Sequence, residues 1–337
     1  MKKLFFVTLL AALGFSACDR NQPDPVDDPL KDVVYDPTPV HIDVPIGVPR
    51  MPISDENPLT EQGIALGKAL YYDPIIDGSG DRACGACHLQ EYSFSSGPTV
   101  MPHVNLGFDK LFLWNGSVQG TLEDAMYFEV DDFFETDVSV LNEHSTYPTK
   151  FKQAFGINKI ETKHVAWALA QYMRTQNSFN SWYDKDVRGD VNLTPLQKEG
   201  EEIYFSEKGD CFHCHGYPLM KDNELHNNGL NDDYSHEEDQ GYYTVSGDML
   251  DMGKFKTPTL RNIALTAPYM HDGRFETLTE VVTFYSEGVK DSEYVDPLMK
   301  QAQYGGIGLE QDEIQALVAF LHTFTDSTFI ADPTLRP

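Results

Sequence analysis

Two short cysteine motifs constrain this chain more than any other feature of its sequence. The runs C-G-A-C-H at 84–88 and C-F-H-C-H at 211–215 are two copies of the pattern C-x-x-C-H, and together they use four of the five cysteines. The thiols of each run lie one helical turn apart, so both can form thioether bonds to one porphyrin, while the histidine that follows can bind its iron. The pattern therefore predicts two covalently attached haem c groups, with Cys84, Cys87, Cys211 and Cys214 as attachment residues and His88 and His215 as iron ligands.

Two other cysteine chemistries fit this pattern less well. A zinc knuckle would need two further thiol or imidazole ligands near each cysteine pair. A thioredoxin-type redox pair would need a βαβ setting and has no adjoining histidine. Because a histidine follows both pairs, haem attachment is the favoured interpretation.

The N-terminus has the features of a secretory signal. A positively charged start precedes an apolar run, residues 4–15, that is too short to span a bilayer, and small residues lead to Cys18. This ending resembles a bacterial lipoprotein cleavage site, although Phe15 replaces the usual aliphatic residue. We predict a lipoprotein-type signal peptide over residues 1–18 and a location on the periplasmic side, with a lipid on Cys18 as the membrane anchor. An ordinary signal peptide with an unrelated cysteine is the alternative.

The charge of the chain restricts its partners. It contains 53 acidic and 25 basic residues, which gives a formal net charge of −28. Such an excess argues against nucleic acid or an anionic lipid surface as a partner. It could steer a basic electron donor towards the protein, or it could serve solubility alone.

An internal repeat indicates two domains. Residues 67–72 and 200–205 precede the two cysteine motifs, and each follows a helix-start signal. Far downstream, residues 168–175 parallel residues 316–323, and both have apolar residues at i, i+1, i+4 and i+5, as on one buried helix face. Each half therefore runs helix, motif, loops, helix. We predict a flexible Pro- and Asp-rich linker over 19–49, an N-terminal domain over 50–190 and a C-terminal domain over 191–337.

The repeat resembles the class I cytochrome c fold, in which two terminal helices pack together above a haem. Together with the run F-K-T-P-T-L-R-N at 255–262 and the segment 265–273, the chain is similar to the bacterial dihaem cytochrome c peroxidase family, which includes the MauG-type enzymes. This resemblance implies a mostly α fold of two class I cytochrome c-like domains in tandem, each with one haem c. It makes the N-terminal haem peroxidatic and the C-terminal haem an electron-transfer group.

The same resemblance implies an activity. The first hypothesis is a cytochrome c peroxidase that reduces hydrogen peroxide to water, with electrons from a small protein, a cytochrome c or a cupredoxin, entering at the His215 haem. A MauG-like, peroxide-dependent oxidation of a protein substrate is the alternative within the enzyme class. A non-catalytic dihaem electron carrier is the alternative outside it.

The resemblance also assigns the second iron ligand of the C-terminal haem. Family members place it in a helix after the segment that reads Y-M-H-D-G here, and a capping-box pattern at Thr277 and Glu280 marks that helix. The matching residue is Tyr285, with Met270 as its competitor, since a thioether is also an ordinary haem ligand. Either residue could instead be part of the core.

Two further residues receive catalytic roles by resemblance. Trp114 matches a tryptophan between the haems and is a candidate electron relay, or simply a packed aromatic residue. Glu135 aligns with an acid in the distal pocket that can move a proton between the peroxide oxygens, although Glu129 and other acids lie nearby. Peroxidases of this family also carry a distal histidine that is missing here; His103 could replace it as a base or ligand, or it could be a packed or surface residue.

Calcium is a further expectation from the family. The carbonyl groups of Thr266 and Pro268 match its backbone ligands, and Thr99 takes the place of the usual Asn ligand. The acidic stretch 219–251 is predicted to be a surface excursion, and its histidines, His226 and His236, are predicted to be solvated.

Overall fold

A computed structural model describes residues 30–96 and 100–337. The predicted signal peptide, Cys18 and Thr99 lie outside these ranges. The helices are α1 (Glu61–Tyr71), α2 (Cys84–Cys87), α3 (Leu122–Phe128), α4 (Val138–Glu143), α5 (Tyr147–Phe155), α6 (Thr162–Met173), α7 (Trp182–Val187), α8 (Pro195–Tyr204), α9 (Tyr243–Ser246), α10 (Leu278–Glu287), α11 (Gln311–Leu321) and α12 (Ser327–Ala331). The strands form two antiparallel pairs, β1 (Leu111–Phe112) with β2 (Val118–Gln119) and β3 (Leu225–His226) with β4 (Phe255–Lys256). The prediction of a mostly α-helical fold is confirmed.

Each half of the chain is built on one pair of tightly packed helices. Helices α1 and α6 approach so closely that a Cβ atom on Gly67 would lie 1.9 Å from the carbonyl oxygen of Ala168. Helices α8 and α11 repeat this contact, since a Cβ atom on Gly200 would lie 2.0 Å from the carbonyl oxygen of Ala316. Real Cβ atoms are not found at such distances, so both contacts require glycine. The helices predicted on either side of each motif are therefore present, and they pack in equivalent ways.

The ends of these helices follow local sequence signals. Thr60 caps α1 by accepting a hydrogen bond from the backbone N–H of Gly63. Thr194 forms a capping box with Gln197 at the start of α8, where Pro195 occupies the first turn. Such caps satisfy backbone donors that have no partner inside the helix. They fix where each helix begins relative to the motif that follows it.

The C-terminal end of the chain packs on the N-terminal half. Phe329 and Leu335 are buried in the same core as α1 and α6. The side chain of Gln90 donates hydrogen bonds to the carbonyl oxygens of Phe329, at 2.8 Å, and Asp332, at 2.9 Å. The Tyr172 hydroxyl donates to the Leu335 carbonyl at 2.8 Å. The last residues of the predicted 191–337 domain thus pack against the N-terminal half of the chain.

Part of the predicted linker is also attached to the N-terminal half. The backbone N–H of Val40 donates to the Leu59 carbonyl at 2.9 Å, and the Lys152 ammonium donates to the Leu30 carbonyl at 2.7 Å. Residues Leu30 and Val40 of the predicted linker therefore contact the N-terminal half, and the linker over 19–49 stays a prediction. No helix in the described ranges is long and apolar enough to cross a membrane.

Candidate haem sites

The first cysteine motif forms a single helical turn. Helix α2 contains both thiols, with Cys84 buried and Cys87 exposed. Burial raises the pKa of the Cys84 thiol, and the nearby Glu129 carboxylate raises it further. The four described cysteines form no disulfide, so each thiol is available for a thioether bond.

His88 is held in the orientation that an iron ligand needs. Its Nδ1 atom lies 2.8 Å from the carbonyl oxygen of Phe94. Since a carbonyl group can only accept, Nδ1 carries the proton and Nε2 keeps its lone pair for a metal. Burial lowers the pKa of His88 to about 4, which keeps the imidazole neutral. The motif therefore fits a haem whose iron binds Nε2.

His103 lies beside this ligand. The two imidazole rings are stacked, with centroids 3.4 Å apart and an angle of 17° between their planes. The hydroxyl group of Tyr71 lies 3.1 Å from Nδ1 of His103. A metal bound to His88 lies in the plane of that ring, whereas His103 covers its face. The geometry therefore gives His103 a packing role against the ligand and does not place it across the iron.

In the acidic segment after α3, Glu129 is partly buried, whereas the predicted residue is exposed. Residues Glu129–Phe133 form a π-helical turn, a feature frequent at functional sites. Burial raises the pKa of Glu129 to about 7. Glu135 is exposed and has a left-handed backbone with φ of +48°. The catalytic role of Glu135 stays a prediction, and the structure adds Glu129 as a second candidate.

The second motif follows the same plan. Residues Cys211–His213 form a 3-10 turn, and Nδ1 of His215 lies 3.2 Å from the Met220 carbonyl oxygen. This contact again leaves Nε2 free for iron. The Tyr204 hydroxyl at the end of α8 donates to the His215 carbonyl at 2.7 Å, which fixes the motif to the helix pair.

A cavity adjoins this second motif. Its lining includes both motif cysteines and His215, and most of the remaining wall is apolar, with side chains such as Leu260, Leu278, Val282 and Leu317. An enclosed apolar wall around two thiols and an oriented imidazole suits a porphyrin ring. The residues present thus fit a covalent haem.

Both predicted candidates for the other iron ligand line this cavity. The Asn228 amide nitrogen lies 3.1 Å from the Tyr285 hydroxyl oxygen, to which it donates, and 3.9 Å from the Met270 sulfur. Burial raises the pKa of Tyr285 to about 12, and the Asn228 hydrogen bond opposes this rise. A donor aimed at the phenol oxygen stabilises its deprotonated form, which is the form that binds ferric iron.

Trp114 lies where the two halves of the chain meet. It belongs to the N-terminal half, yet it lines the cavity of the second motif. Its carbonyl oxygen accepts a hydrogen bond of 2.8 Å from the backbone N–H of Lys256 in β4. Trp114 therefore lies beside the second site, and its role as an electron relay stays a prediction.

The stretch 219–251 is less exposed than its composition indicates. His226, predicted to be solvated, lies between two carboxylates: its Nδ1 is 2.7 Å from Asp296 and its Nε2 is 2.8 Å from Asp222. These two contacts raise the pKa of His226 to about 12. The prediction of a solvated His226 is therefore wrong, because β3 pairs with β4 and turns this residue into the cavity wall. His236 is exposed, as predicted.

The backbone groups expected to bind calcium lie beside the same cavity. Thr266 and Pro268 contribute to its lining. Calcium needs six or more oxygen ligands, and the third expected residue, Thr99, lies outside the described ranges. Calcium binding stays a prediction.

The chain is similar in sequence to known proteins. Residues 61–192 match the sequence model of the family described as di-haem cytochrome c peroxidase. The cytochrome-c peroxidase IdrP2 of Denitromonas iodatirespirans is 30% identical to this chain, covering 81% of it and 84% of the relative. The methylamine utilization protein MauG of Methylorubrum extorquens is 29% identical, covering 81% of both chains.

Solved structures show the same likeness. The crystal structure of a MauG-like protein associated with microbial copper homeostasis is 30% identical, with a TM-score of 0.80 and coverage of 88% of this chain and 98% of that one. The diheme peroxidase BthA from Burkholderia thailandensis has a TM-score of 0.59 at 18% identity, with coverage of 81% and 88%, and shares the fold.

Proposed function

Because this chain belongs to the di-haem cytochrome c peroxidase family, we propose that it reduces hydrogen peroxide to water with electrons from a small redox protein. Peroxide would react at a haem held by Cys84, Cys87 and His88. Electrons would enter at a haem held by Cys211, Cys214 and His215. Each helix pair would frame one cytochrome c-like domain, over 50–190 and 191–337. When bound, the haem at the first motif would supply the reaction with peroxide, and the haem at the second motif would supply electron transfer.

The main support for this proposal is that the two motifs differ in the side chains that lie beside their histidines. Near His215 the cavity offers two side chains that can complete the coordination of an iron, Tyr285 and Met270. Near His88 the neighbouring imidazole of His103 stacks on the ligand and is held by Tyr71. We therefore expect a six-coordinate iron at the second site and an iron with an unfilled sixth position at the first.

The first site also has an acid suited to proton transfer. Cleavage of the peroxide bond needs a group that takes a proton from one oxygen and gives it to the other. Such a group works best when its pKa lies near the working pH, and burial gives Glu129 a pKa of about 7. We assign the proton transfer to Glu129, with Glu135 as the alternative.

Trp114 is proposed as the relay between the two haems. To test it, the protein loaded with two haems is mixed with peroxide and a reduced c-type cytochrome. We expect the oxidation of two cytochromes for each peroxide consumed. Trp114→Phe should slow this turnover at least tenfold, whereas Trp182→Phe, at an exposed position, should leave it unchanged. Equal rates in both variants would remove Trp114 from the electron path, and a complete lack of turnover in the wild type would contradict the peroxidase assignment.

One observation favours a second candidate function. The Asn228 amide donates to the Tyr285 hydroxyl, which supports a phenolate ligand at the second haem. A phenolate stabilises ferric and higher oxidation states, so the protein would store oxidising equivalents and pass them to a protein substrate, as in MauG-like oxidation. To test this function, the haem-loaded protein is treated with peroxide in the absence of an electron donor. The oxidised protein should then decay slowly in the wild type and faster in Tyr285→Met. Equal decay in both would favour the cytochrome c peroxidase reaction.

The partner and location follow from the same proposal. The net charge of −28 would favour a donor or protein substrate with a basic docking face. The reaction would take place on the periplasmic side, where a signal peptide would direct the chain. Lipid attachment through Cys18 remains part of this proposal.

A further inference from the structure

The stretch after the second motif carries a strongly unbalanced charge. Residues 222–253 contain nine acidic residues and neither lysine nor arginine. Three of these acids, Glu237, Glu238 and Asp248, are exposed. Within residues 30–96 and 100–337, the ion pairs near them are formed by Asp239 and Asp251 instead. The charge of the three exposed acids is therefore available to a cationic partner.

The same stretch exposes apolar side chains close together. Val245, Met249 and Leu250 are 43%, 48% and 76% exposed. Val245 belongs to α9, and the short 3-10 turn that contains Met249 and Leu250 packs against that helix. Neighbouring apolar side chains on a surface, with polar residues around them, are typical of a site that binds another protein.

Hydrogen bonds fix this segment to the rest of the protein. The backbone N–H of Tyr242 donates to the Lys254 carbonyl at 2.8 Å, and that of Gly253 donates to the Gln240 carbonyl at 2.9 Å. The side-chain amide of Gln119, in β2 of the N-terminal half, donates to the Tyr242 hydroxyl at 2.9 Å. Since these contacts order the segment before any partner binds, association costs less conformational entropy.

An open cleft connects this segment with the second haem motif. The cleft is lined by residues of both halves of the chain: Asn115, Glu237, Glu238, Gly241, Thr244 and Phe255. Phe255 also forms part of the wall of the second-motif cavity, where its ring stacks on His271 with centroids 3.9 Å apart. Asn115 directly follows Trp114, the proposed relay. A protein bound at the cleft would thus contact residues that adjoin the proposed electron path.

We propose that one surface, here called the docking face, binds the small redox protein that supplies electrons, and that this partner carries basic residues around an apolar centre. The docking face consists of Glu237, Glu238, Val245, Asp248, Met249 and Leu250. Its acids attract and orient the partner, and its apolar side chains are buried in the complex. The inference rests on the proposed function, because it names the surface that the electron donor would use.

The charge of the docking face disfavours two other occupants. In a symmetric contact, a second copy of the chain would bring the same acids against one another, and like charges across an interface are unfavourable. An anionic lipid surface would be repelled for the same reason. A basic protein is the occupant that this charge attracts.

The first test measures the affinity of the haem-loaded protein for a small basic c-type cytochrome by isothermal titration calorimetry. Wild-type binding should weaken as the salt concentration rises. Glu237→Gln combined with Glu238→Gln should weaken binding about fivefold at low salt and reduce its salt dependence. Asp55→Asn combined with Glu56→Gln removes two adjacent exposed acids of the N-terminal half and should leave the affinity unchanged.

The second test concerns the apolar part of the docking face. Leu250→Ser should weaken binding about fivefold, because the leucine is buried only in the complex, and should keep the wild-type salt dependence. Ile46→Ser changes another fully exposed apolar residue and is the matched control. All four positions of the two docking-face and control acid pairs, and both apolar positions, are exposed, so each variant should fold and bind haem as the wild type does.

Two results would overturn the docking face. One is an affinity in the Glu237→Gln, Glu238→Gln variant and in Leu250→Ser equal to that of the wild type. The other is a wild type that binds a small acidic c-type cytochrome as tightly as the basic one.

Peroxide turnover with a small neutral dye as electron donor separates this inference from the proposed function. The dye needs no docking face, so its turnover should be equal in the wild type and in every variant. If the wild type binds the cytochrome as predicted but consumes no peroxide with the dye, the peroxidase proposal fails and the binding data still support the docking face. If the dye is oxidised and the variants bind like the wild type, the docking face alone is overturned.

Discussion

The imidazole rings of His88 and His103 lie face to face, with their centroids 3.4 Å apart. Stacking on an iron ligand restricts its rotation, and the carbonyl group of Phe94 fixes the same ring through Nδ1. Two independent contacts thus set the plane in which His88 meets a metal. The ligand orientation at the first site is a property of the fold.

Replacing His103 tests this arrangement. His103→Leu should keep the spin state of the first haem, because the residue is not across the iron, but should broaden its spectrum as the His88 ring loses a packing partner. Electron paramagnetic resonance of the ferric protein measures both effects. His236→Leu, at an exposed histidine, is the control. Conversion of a low-spin into a high-spin signal in His103→Leu would instead identify His103 as an iron ligand.

The proton-transfer assignment separates two acids of one segment. Glu129→Gln should lower the peroxide turnover rate by about a hundredfold or more, because a general acid or base typically contributes a rate factor of this size. Glu135→Gln changes an exposed acid and should have little effect. Stopped-flow kinetics with both variants decides between the two acids. A larger loss of rate in Glu135→Gln than in Glu129→Gln would assign the proton transfer to Glu135, as predicted from the sequence.

The stability of the protein should also respond to Glu129. Burial raises its pKa from 4.5 to about 7, so the folded state binds a proton that the unfolded state has released. This contribution to stability is complete below pH 4.5 and is lost as the pH rises through 7. The free energy of unfolding should therefore fall less over this pH range in Glu129→Gln than in the wild type. Parallel curves in urea titrations would contradict a raised pKa of Glu129 in the folded protein.

The second haem should report its own ligand. Tyr285→Phe should change the visible and paramagnetic spectra of that haem, because the phenol oxygen would be lost from the iron. Met270→Leu preserves the apolar volume beside Asn228 and should leave both spectra unchanged. A spectral change confined to Met270→Leu would assign the thioether in place of the phenol.

The close helix contact predicts a stability effect at a site far from any chemistry. Gly200→Ala places a methyl group against the carbonyl of Ala316 and should cost about 1–3 kcal/mol. Glu199→Ala changes an exposed position of the same helix and should be nearly neutral. Unfolding of the haem-loaded protein in guanidinium measures both. Equal stabilities would show that α8 and α11 can separate without cost.

Local signals in the sequence were sufficient for much of the fold. The C-x-x-C-H turns, the caps at Thr60 and Thr194 and the repeated helices each depend on residues within about one helix length of one another. The pairing of the helices was expected from the resemblance to the class I cytochrome c fold and from no local signal. The turns, caps and helices were predictable for one physical reason: their hydrogen bonds and apolar faces are encoded locally.

Contacts between distant residues were not predictable in this way. The bond from Tyr172 to Leu335 joins residues 163 positions apart, and no local pattern indicates it. The ion pairs of Asp109 with Lys221 and Lys256 depend on how the two halves of the chain meet. The π-helical turn at Glu129–Phe133 changes the phase of the segment that follows, so the exposure of Glu135 could not be predicted from helical spacing alone.

The central claim is that the two haem sites differ in coordination, and a count of open iron sites tests it most directly. Electron paramagnetic resonance is measured on the haem-loaded protein in its ferric and half-reduced states. At least one of these states should show a high-spin five-coordinate iron at the His88 site together with a six-coordinate iron at the His215 site. Signals from low-spin six-coordinate iron alone, in both states, would contradict the claim and favour an electron carrier over an enzyme.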